Sequence, residues 1–456
     1  MNVLPLRETS VTSPENENRY SLLPQVEKAW NFPLFEAIVG RRSRRFGFGM
    51  ELRHGPFTYS SDKEPMPLDE SETAMLVAAA TGVTGAILCE GEFQGGMVKS
   101  VGRPHPSAVG SHRTELFFTN DDGVFLFRGT QQQMTKMKEY ETVEDRDKIL
   151  DFYRKYTVRL SDKRLDLPRK TPGLFHHNLW VTNKPGTTLF MPVTDISKDL
   201  IRLMINMCDP RGGRYIDGGG YYILDERKGM RPAGCEKWAA KGLLDKNKPL
   251  PLGALEKIIV SWLCAEGAMM GTLMQLAMAA MGLGGWMHGG FTPLVVMGGT
   301  PICRGLGFRF VQGKEEPLPN PVGLDGYFQG FCPPYYKTMA DAVDAAVKDM
   351  GESLDEWERR GMVLPHSITN AEFEKGVPGI SAEGLECVKD ICTYIYEAYG
   401  KFPAFNDTMH LLYFIQAHHL DLDFYDRYFK QGAYLQTHVD HFDTWHKGTN
   451  VKFRNK

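Results

Sequence analysis

Residues 266–291 read EGAMMGTLMQLAMAAMGLGGWMHGGF, and the rest of the chain is organised around them. Met269, Met270, Leu273, Met274, Leu276, Met278 and Met281 leave almost no polar face, the pattern of a helix buried all round. Gly267, Ala268, Gly271, Ala277, Ala279 and Ala280 leave so little side chain that another backbone, or a flat ligand, can approach closely. Gly282, Gly284 and Gly285 stop the helix, because glycine tolerates the left-handed geometry of a helix C-terminus. Gly289 and Gly290 continue the theme. A core helix with an ordinary glycine stop accounts for the stretch by itself. A membrane span competes, since no formal charge lies between Gly267 and Met287 and about 20 apolar residues can cross a bilayer. Gly271, Thr272 and Gln275 dilute the run, and basic anchors and an aromatic belt are missing. The expectation is a buried helix and no membrane.

The chain has 456 residues, enough for one large domain with additions or for two to three domains. It is 42% hydrophobic and 24% charged, which suits a globular protein with a sizeable core. A net charge of −3 gives no pointer to nucleic acid, so no nucleic-acid partner is expected. The first residues lack the apolar segment of a secretory signal. Cys89, Cys208, Cys235, Cys264, Cys303, Cys332, Cys387 and Cys392 are scattered without a CxxC pair, neither a disulfide framework nor a zinc pattern. Reduced thiols and a cytoplasmic location are the expectation.

Reading outward, residues 1–30 are polar and Pro-containing and form an arm. Residues 32–39 predict a short helix ending at Gly40. Asp69 caps a helix that stops near Gly82. RPHPSAVG, residues 103–110, is a loop because two prolines and a glycine exclude regular structure. Residues 115–119 and 124–127, joined by Asn120-Asp121-Asp122-Gly123, predict a hairpin. Residues 131–170 are charged and mostly helical; 189–194 predict a strand and 196–208 a helix. Asp217-Gly-Gly-Gly220 separates two Tyr/Ile-rich runs as a hairpin or lid. Residues 294–297 predict a buried strand, and 315–334 a Pro-rich linker. The last 120 or so residues predict helices, one of them capped by Ser381 and stopped by Gly400.

The densest charge cluster is Arg41-Arg42-Ser43-Arg44-Arg45. Guanidinium forks and a hydroxyl suit a phosphate; a solvated basic turn explains the same residues. The run EAIVGRRSRRF resembles the opening of the nitroreductase-like flavoenzymes, a short helix followed by Arg-Arg-Ser-x-Arg. RPHPSAVGSHRTELFF resembles the Pro-Ser-x-Gly region of the branch that includes azoline oxidases, with Arg103, Pro106, Ser107, Glu115 and Leu116 matching. MAAMGLGGWMHGGF is similar to the small-residue helix of that family, which ends in Ala-x-Gly-Leu-Gly. The three motifs occur in order over residues 31–300.

The resemblance implies an α+β fold: a four- to five-stranded, mostly antiparallel sheet flanked by helices. It implies FMN, with Arg41, Arg42, Ser43 and Arg45 on the phosphate, ribityl chain and ring oxygens. Pro106 and Ser107 would meet the isoalloxazine, and Gly282, Leu283 and Gly284 would lie beside it. Gly289 and Gly290 would offer N–H groups near the N5 edge, and Arg304 (or Arg309) would complete the phosphate site. It further implies a homodimer with FMN at the interface, hydride transfer to or from a small-molecule substrate, and NAD(P)H as a possible electron donor. The chain departs from the family in length. It reads as a core over 31–314 with an insertion, a lid, at about 131–260, a linker at 315–335 and a helical C-terminal extension at 336–456. The Asn-x-Gln-Pro-Trp pattern of simple nitroreductases is missing, which puts their nitroaromatic and quinone activity in doubt.

The favoured function is therefore an FMN-dependent oxidoreductase acting on a specialised small organic substrate. Alternatives are an oxygen-using flavin oxidase or dehydrogenase, a flavin-modifying enzyme, or a non-catalytic nitroreductase-like scaffold. No catalytic side chain is required, but His176 or His177 could supply a proton. Tyr221, Tyr222 and Trp286 are candidates to stack on substrate, although aromatic residues usually pack in cores. His438, His441 and His446 lie in a run with two aspartates whose spacing matches no trusted metal motif, so no metal is expected.

Overall fold

The computed structural model describes residues 24–91, 97–128, 149–171, 173–210 and 218–454. Most of the N-terminal arm (1–23), part of the charged segment (129–148) and residues 211–217, with Asp217 of the candidate hairpin or lid, lie outside the described residues. The fold is α+β. One helix, Leu252–Met281, runs through its centre and ends at Gly282, whose φ of 80° is the left-handed geometry that glycine supplies.

The small residues of this central helix serve close packing on the sheet. A Cβ at Gly267 would sit 3.2 Å from the Pro192 side chain, and one at Gly271 would sit 2.7 Å from Met287 Sδ and 3.0 Å from Ile415. The helix is also the one among the described residues long and apolar enough to cross a membrane, yet half of its most apolar window is buried inside the fold. Met270, Met274, Met278 and Met281 pack on the helix Glu70–Thr81 and on Phe118, Phe190 and Ile415 of the sheet. Its first half, Leu252 to Leu263, packs on the helices Ser197–Cys208, Met339–Met350 and Ala382–Tyr399.

The main sheet has seven strands, and every pairing in it is antiparallel. In spatial order they are Gly284–His288, Phe414–His418, Thr188–Asp195, Thr114–Asn120, Gly123–Phe127 and Thr157–Ser161, with Met409–His410 also on Thr188–Asp195. Phe118 lies opposite Phe190, and Phe190 opposite Ile415, so one face of three strands carries apolar bulk onto the central helix. Phe117, Leu126, Met191 and Phe414 build a second core on the other face.

Several expectations need correction. Residues 294–297 form a helix, Pro293–Met297, with Pro at its first position and Gly298 as a left-handed cap; a short apolar run does not distinguish strand from buried helix. The expected linker is ordered, with Asn320–Leu324 and Phe328–Gln329 paired in a three-stranded sheet with Arg309–Val311. The C-terminal part is not purely helical, because Phe414–His418 is a central strand of the main sheet. Its residues are buried on both faces, which removes the alternation that marks a strand. The expected insertion supplies two strands of the main sheet, Thr157–Ser161 at its edge and Thr188–Asp195 inside it.

Candidate functional site

The Arg41–Arg45 segment follows the short helix Leu34–Gly40 and is exposed except at Arg44. Arg44 is buried and structural: its Nε donates to Ala433 O at 2.9 Å and its Nη2 to Gly40 O at 3.0 Å. Burial pulls its guanidinium down to about 10. Its backbone bridges Gly285 in both directions, at 3.1 and 2.8 Å, which fixes the segment against the sheet edge. Arg41, Arg42, Ser43 and Arg45 are exposed. Arg41 donates to Gln275 Oε1 of the central helix at 3.3 Å, and Arg42 donates to Val39 O and Arg41 O at the end of the short helix.

Arg42, Ser43 and Arg45 line a cleft of about 520 Å³ whose other walls include Phe57, Trp180 and Phe429. The Arg45 guanidinium lies 5.5 Å from the Trp180 ring and 5.3 Å from the Trp286 ring, an aromatic cradle for a cation. Trp286 stacks on His288 at 4.1 Å. Trp286 Nε1 and His288 Nε2 are buried without hydrogen-bond partners. His288 Nδ1 accepts from Gly290 N at 3.0 Å, so the Nε2 of a neutral His288 carries the hydrogen. Two orphaned donors therefore sit on stacked rings, of which Trp286 adjoins Arg45, and each such donor costs about 1–3 kcal/mol while unsatisfied.

The other expected residues are dispersed. Ser107 donates to Glu266 Oε1 and accepts from His112 N at 3.0 Å. Glu266 Oε2 accepts from Arg113 N at 2.9 Å and Thr114 Oγ1 at 2.7 Å, and burial lifts this carboxyl to about 7. Glu266 and Gln275 are about two and a half turns apart on one helix, so Ser107 and Arg41 touch opposite faces, roughly 13 Å apart along its axis. Pro106 is exposed. Glu115 lines a second cleft, of about 260 Å³, with His112, Arg113, Arg128 and Asp195.

A Cβ at Gly282 would meet Thr437 O at 2.1 Å, and one at Gly284 would meet His418 and Leu420 side chains, so this face of the glycine exit is filled by the chain itself. Leu283 is buried. Gly290 N is engaged by His288, whereas a Cβ at Gly289 would meet nothing closer than Leu412 O at 3.8 Å. Arg304 is exposed and outside the arginine cleft, and Arg309 pairs with Asp325 at 2.5 Å. His176 and His177 are exposed on a turn whose chain leads to Trp180. Tyr222 packs in the helical core, and Cys264 is a buried helix residue.

The C-terminal histidines divide. His438 Nδ1 accepts from Leu435 N at 3.1 Å, a local cap. His441 and His446 instead converge with His419 on Glu72, their Nε2 atoms 3.0, 3.1 and 3.2 Å from its Oε1. Sequence reading missed Glu72 and His419. Glu72 stands three residues after the Asp69 cap and completes a capping box, which hides its second role. His419 directly follows a strand that carried no alternation signal.

No family profile and no curated protein matches this chain. Among solved structures it is similar to a “putative nitroreductase” from Ralstonia eutropha, at 13% identity over 58% of this chain and 74% of that chain, with a TM-score of 0.27. A likeness that loose carries no functional argument, so the reading of the site rests on its own residues.

Proposed function

We propose that the chain is an FMN-dependent oxidoreductase acting on a small organic substrate, and that it works as a homodimer. The observation that carries this reading is the arginine cleft. Arg42, Ser43 and Arg45 bring two cations and a hydroxyl to one side of a cavity whose other walls are aromatic, a donor set that suits a phosphate joined to a flat ring. The Trp286 ring adjoins Arg45, and its orphaned N–H, with that of the His288 stacked on it, adds neutral donors behind the arginine. A bound flavin supplies hydride chemistry. The protein's part is to bind and orient it, to hold fixed donors beside a ring that becomes anionic on reduction, and to limit water.

In this reading Gly282, Leu283 and Gly284 shape the cleft from behind. Pro106 and Ser107 lie across the central helix and would reach a cofactor only from a second copy. Two apolar surfaces support dimerisation. Leu34, Phe35, Ile38 and Val39, on the helix before the arginines, are 61%, 78%, 46% and 68% exposed. Trp262 is exposed on the central helix, above half-buried Met269 and Leu273. The substrate and the electron donor, NAD(P)H or another, would share the same flavin face.

Titration of FMN into the purified protein, followed by quenching of flavin fluorescence, tests the reading. Saturable binding that weakens at least tenfold in Arg45→Ala and Ser43→Ala is expected. Binding unchanged in both variants would remove the cleft from the account.

A further inference from the structure

Among the described residues, Glu72, His419, His441 and His446 form a buried polar cluster away from the arginine cleft. Their four ligand atoms lie within 4.8 Å of one another. Glu72 and the His419 side chain are fully buried; the His441 and His446 side chains are 2% and 8% exposed. The three imidazole centroids are 5.0, 5.1 and 5.5 Å apart, a near-symmetric ring around one carboxylate oxygen.

The hydrogen bonds around the cluster fix what its inner atoms can be. His419 Nδ1 lies 2.9 Å from Met66 O, and His441 Nδ1 lies 2.8 Å from Met281 O. A carbonyl only accepts, so both Nδ1 atoms carry hydrogen, and both Nε2 atoms of the neutral rings present lone pairs inward. Glu72 Oε2 accepts from Asp69 N at 2.7 Å, which orients the carboxylate and leaves Oε1 for the centre. His446 Nε2 completes the set, 3.2 Å from His419 Nε2. On His419, His441 and Glu72, lone pairs thus face lone pairs. His441 Nε2 is 3.0 Å from Glu72 Oε1 but is not aligned to hydrogen-bond to it, and it has no other partner. Added protons, or one cation, must reconcile these atoms.

The spacing favours the cation. A tetrahedral zinc with bonds of about 2.0–2.1 Å sets neighbouring ligand atoms about 3.3 Å apart. Four of the six edges are 3.0, 3.1, 3.2 and 3.2 Å, and all six lie within 4.8 Å. Histidines whose outer N–H groups donate to backbone carbonyls, and a carboxylate held by a backbone N–H, match the second shell of metal ligands. Imidazole and carboxylate without thiolate suit zinc among first-row divalent metals.

We propose that Glu72, His419, His441 and His446 bind one divalent transition-metal cation, zinc being the best fit, in a closed four-coordinate structural site. The site joins the Glu70–Thr81 helix, the end of the Phe414–His418 strand and the short helix His441–Trp445 with its cap His446. It also lies behind the arginine segment, since Phe48 N donates to His419 O at 3.2 Å. It is independent of the flavin reading, because none of its four ligands lines the arginine cleft.

The test is metal analysis of the untagged full-length chain. About one zinc per chain is expected as purified. Chelation should lower the melting temperature, and added Zn2+ should restore it. Co2+ in place of Zn2+ should give the intense visible bands of a tetrahedral centre. His446→Ala should weaken Zn2+ binding by more than the 10–100-fold typical of a second-shell change, whereas His54→Ala, an exposed histidine elsewhere, should leave it unchanged. The proposal is overturned if the chelated chain takes up neither Zn2+ nor Co2+, or if His446→Ala binds Zn2+ as tightly as the unaltered protein. Should His446→Ala fail to fold, uptake by the unaltered chain decides.

Discussion

Replacing Glu266 by glutamine should remove a pH dependence that the native carboxyl imposes on stability. Glu266 is fully buried in the central helix, and burial raises its carboxyl from 4.5 to about 7 against the opposing hydrogen bonds of Ser107 and Thr114. A carboxyl raised on folding holds its proton more tightly in the folded chain. Its stabilising contribution is therefore complete below the unfolded value and is lost as pH rises through the folded one. At about 1.36 kcal/mol per unit, the shift amounts to roughly 3 kcal/mol at full ionisation, of which about 2.5 kcal/mol is lost between pH 5 and pH 8. Glutamine keeps the shape, donates to Ser107 Oγ, accepts from Arg113 N and Thr114 Oγ1, and has no proton to lose. Urea unfolding of both proteins across this pH range reads the effect. Other titrating groups largely cancel in the difference, so the stability of the variant relative to the native protein should climb by about 2.5 kcal/mol. Parallel curves would refute the reasoning and return Glu266 to an ordinary ionised carboxylate.

Gly271→Val places a branched side chain where a Cβ already meets Met287 Sδ at 2.7 Å and Ile415 at 3.0 Å; a loss of about 1–3 kcal/mol is expected in thermal or urea unfolding. Arg44→Met leaves Ala433 O and Gly40 O without their donors and should cost about 1–3 kcal/mol in the same assays. Arg45→Ala should leave stability within about 0.5 kcal/mol and weaken cofactor binding instead. Phe35→Asp puts a charge on the exposed apolar helix and should shift the protein towards monomer in analytical ultracentrifugation.

The sequence shows most clearly what local chemistry dictates. Asp69, Ser381, Gly282 and Gly400 mark helix ends that the structure places at those residues, because caps act within a few residues. The hairpin at 114–127 was legible from its Asn-Asp-Asp-Gly turn. What escaped depends on long-range packing. Phe414–His418 is a strand because Gly284–His288 and Thr188–Asp195 flank it, not because of its own pattern. The use of Gly267 and Gly271 became clear only with Pro192 and Ile415 in place. The same limit applied to the sites. The arginine motif was visible as a run, but which arginine is buried was not. His438, His441 and His446 were visible as a run, but which two belong together was not, and their partners Glu72 and His419 are distant in sequence and meet them only in the fold.

The central claim is that the arginine cleft holds FMN. The visible absorption spectrum of the full-length protein as purified, with chromatography of whatever heat releases, tests it most directly. Flavin bands and released FMN, restored by added FMN after removal and lost in Arg45→Ala, are the predicted result. A colourless protein that takes up no added FMN would contradict the account.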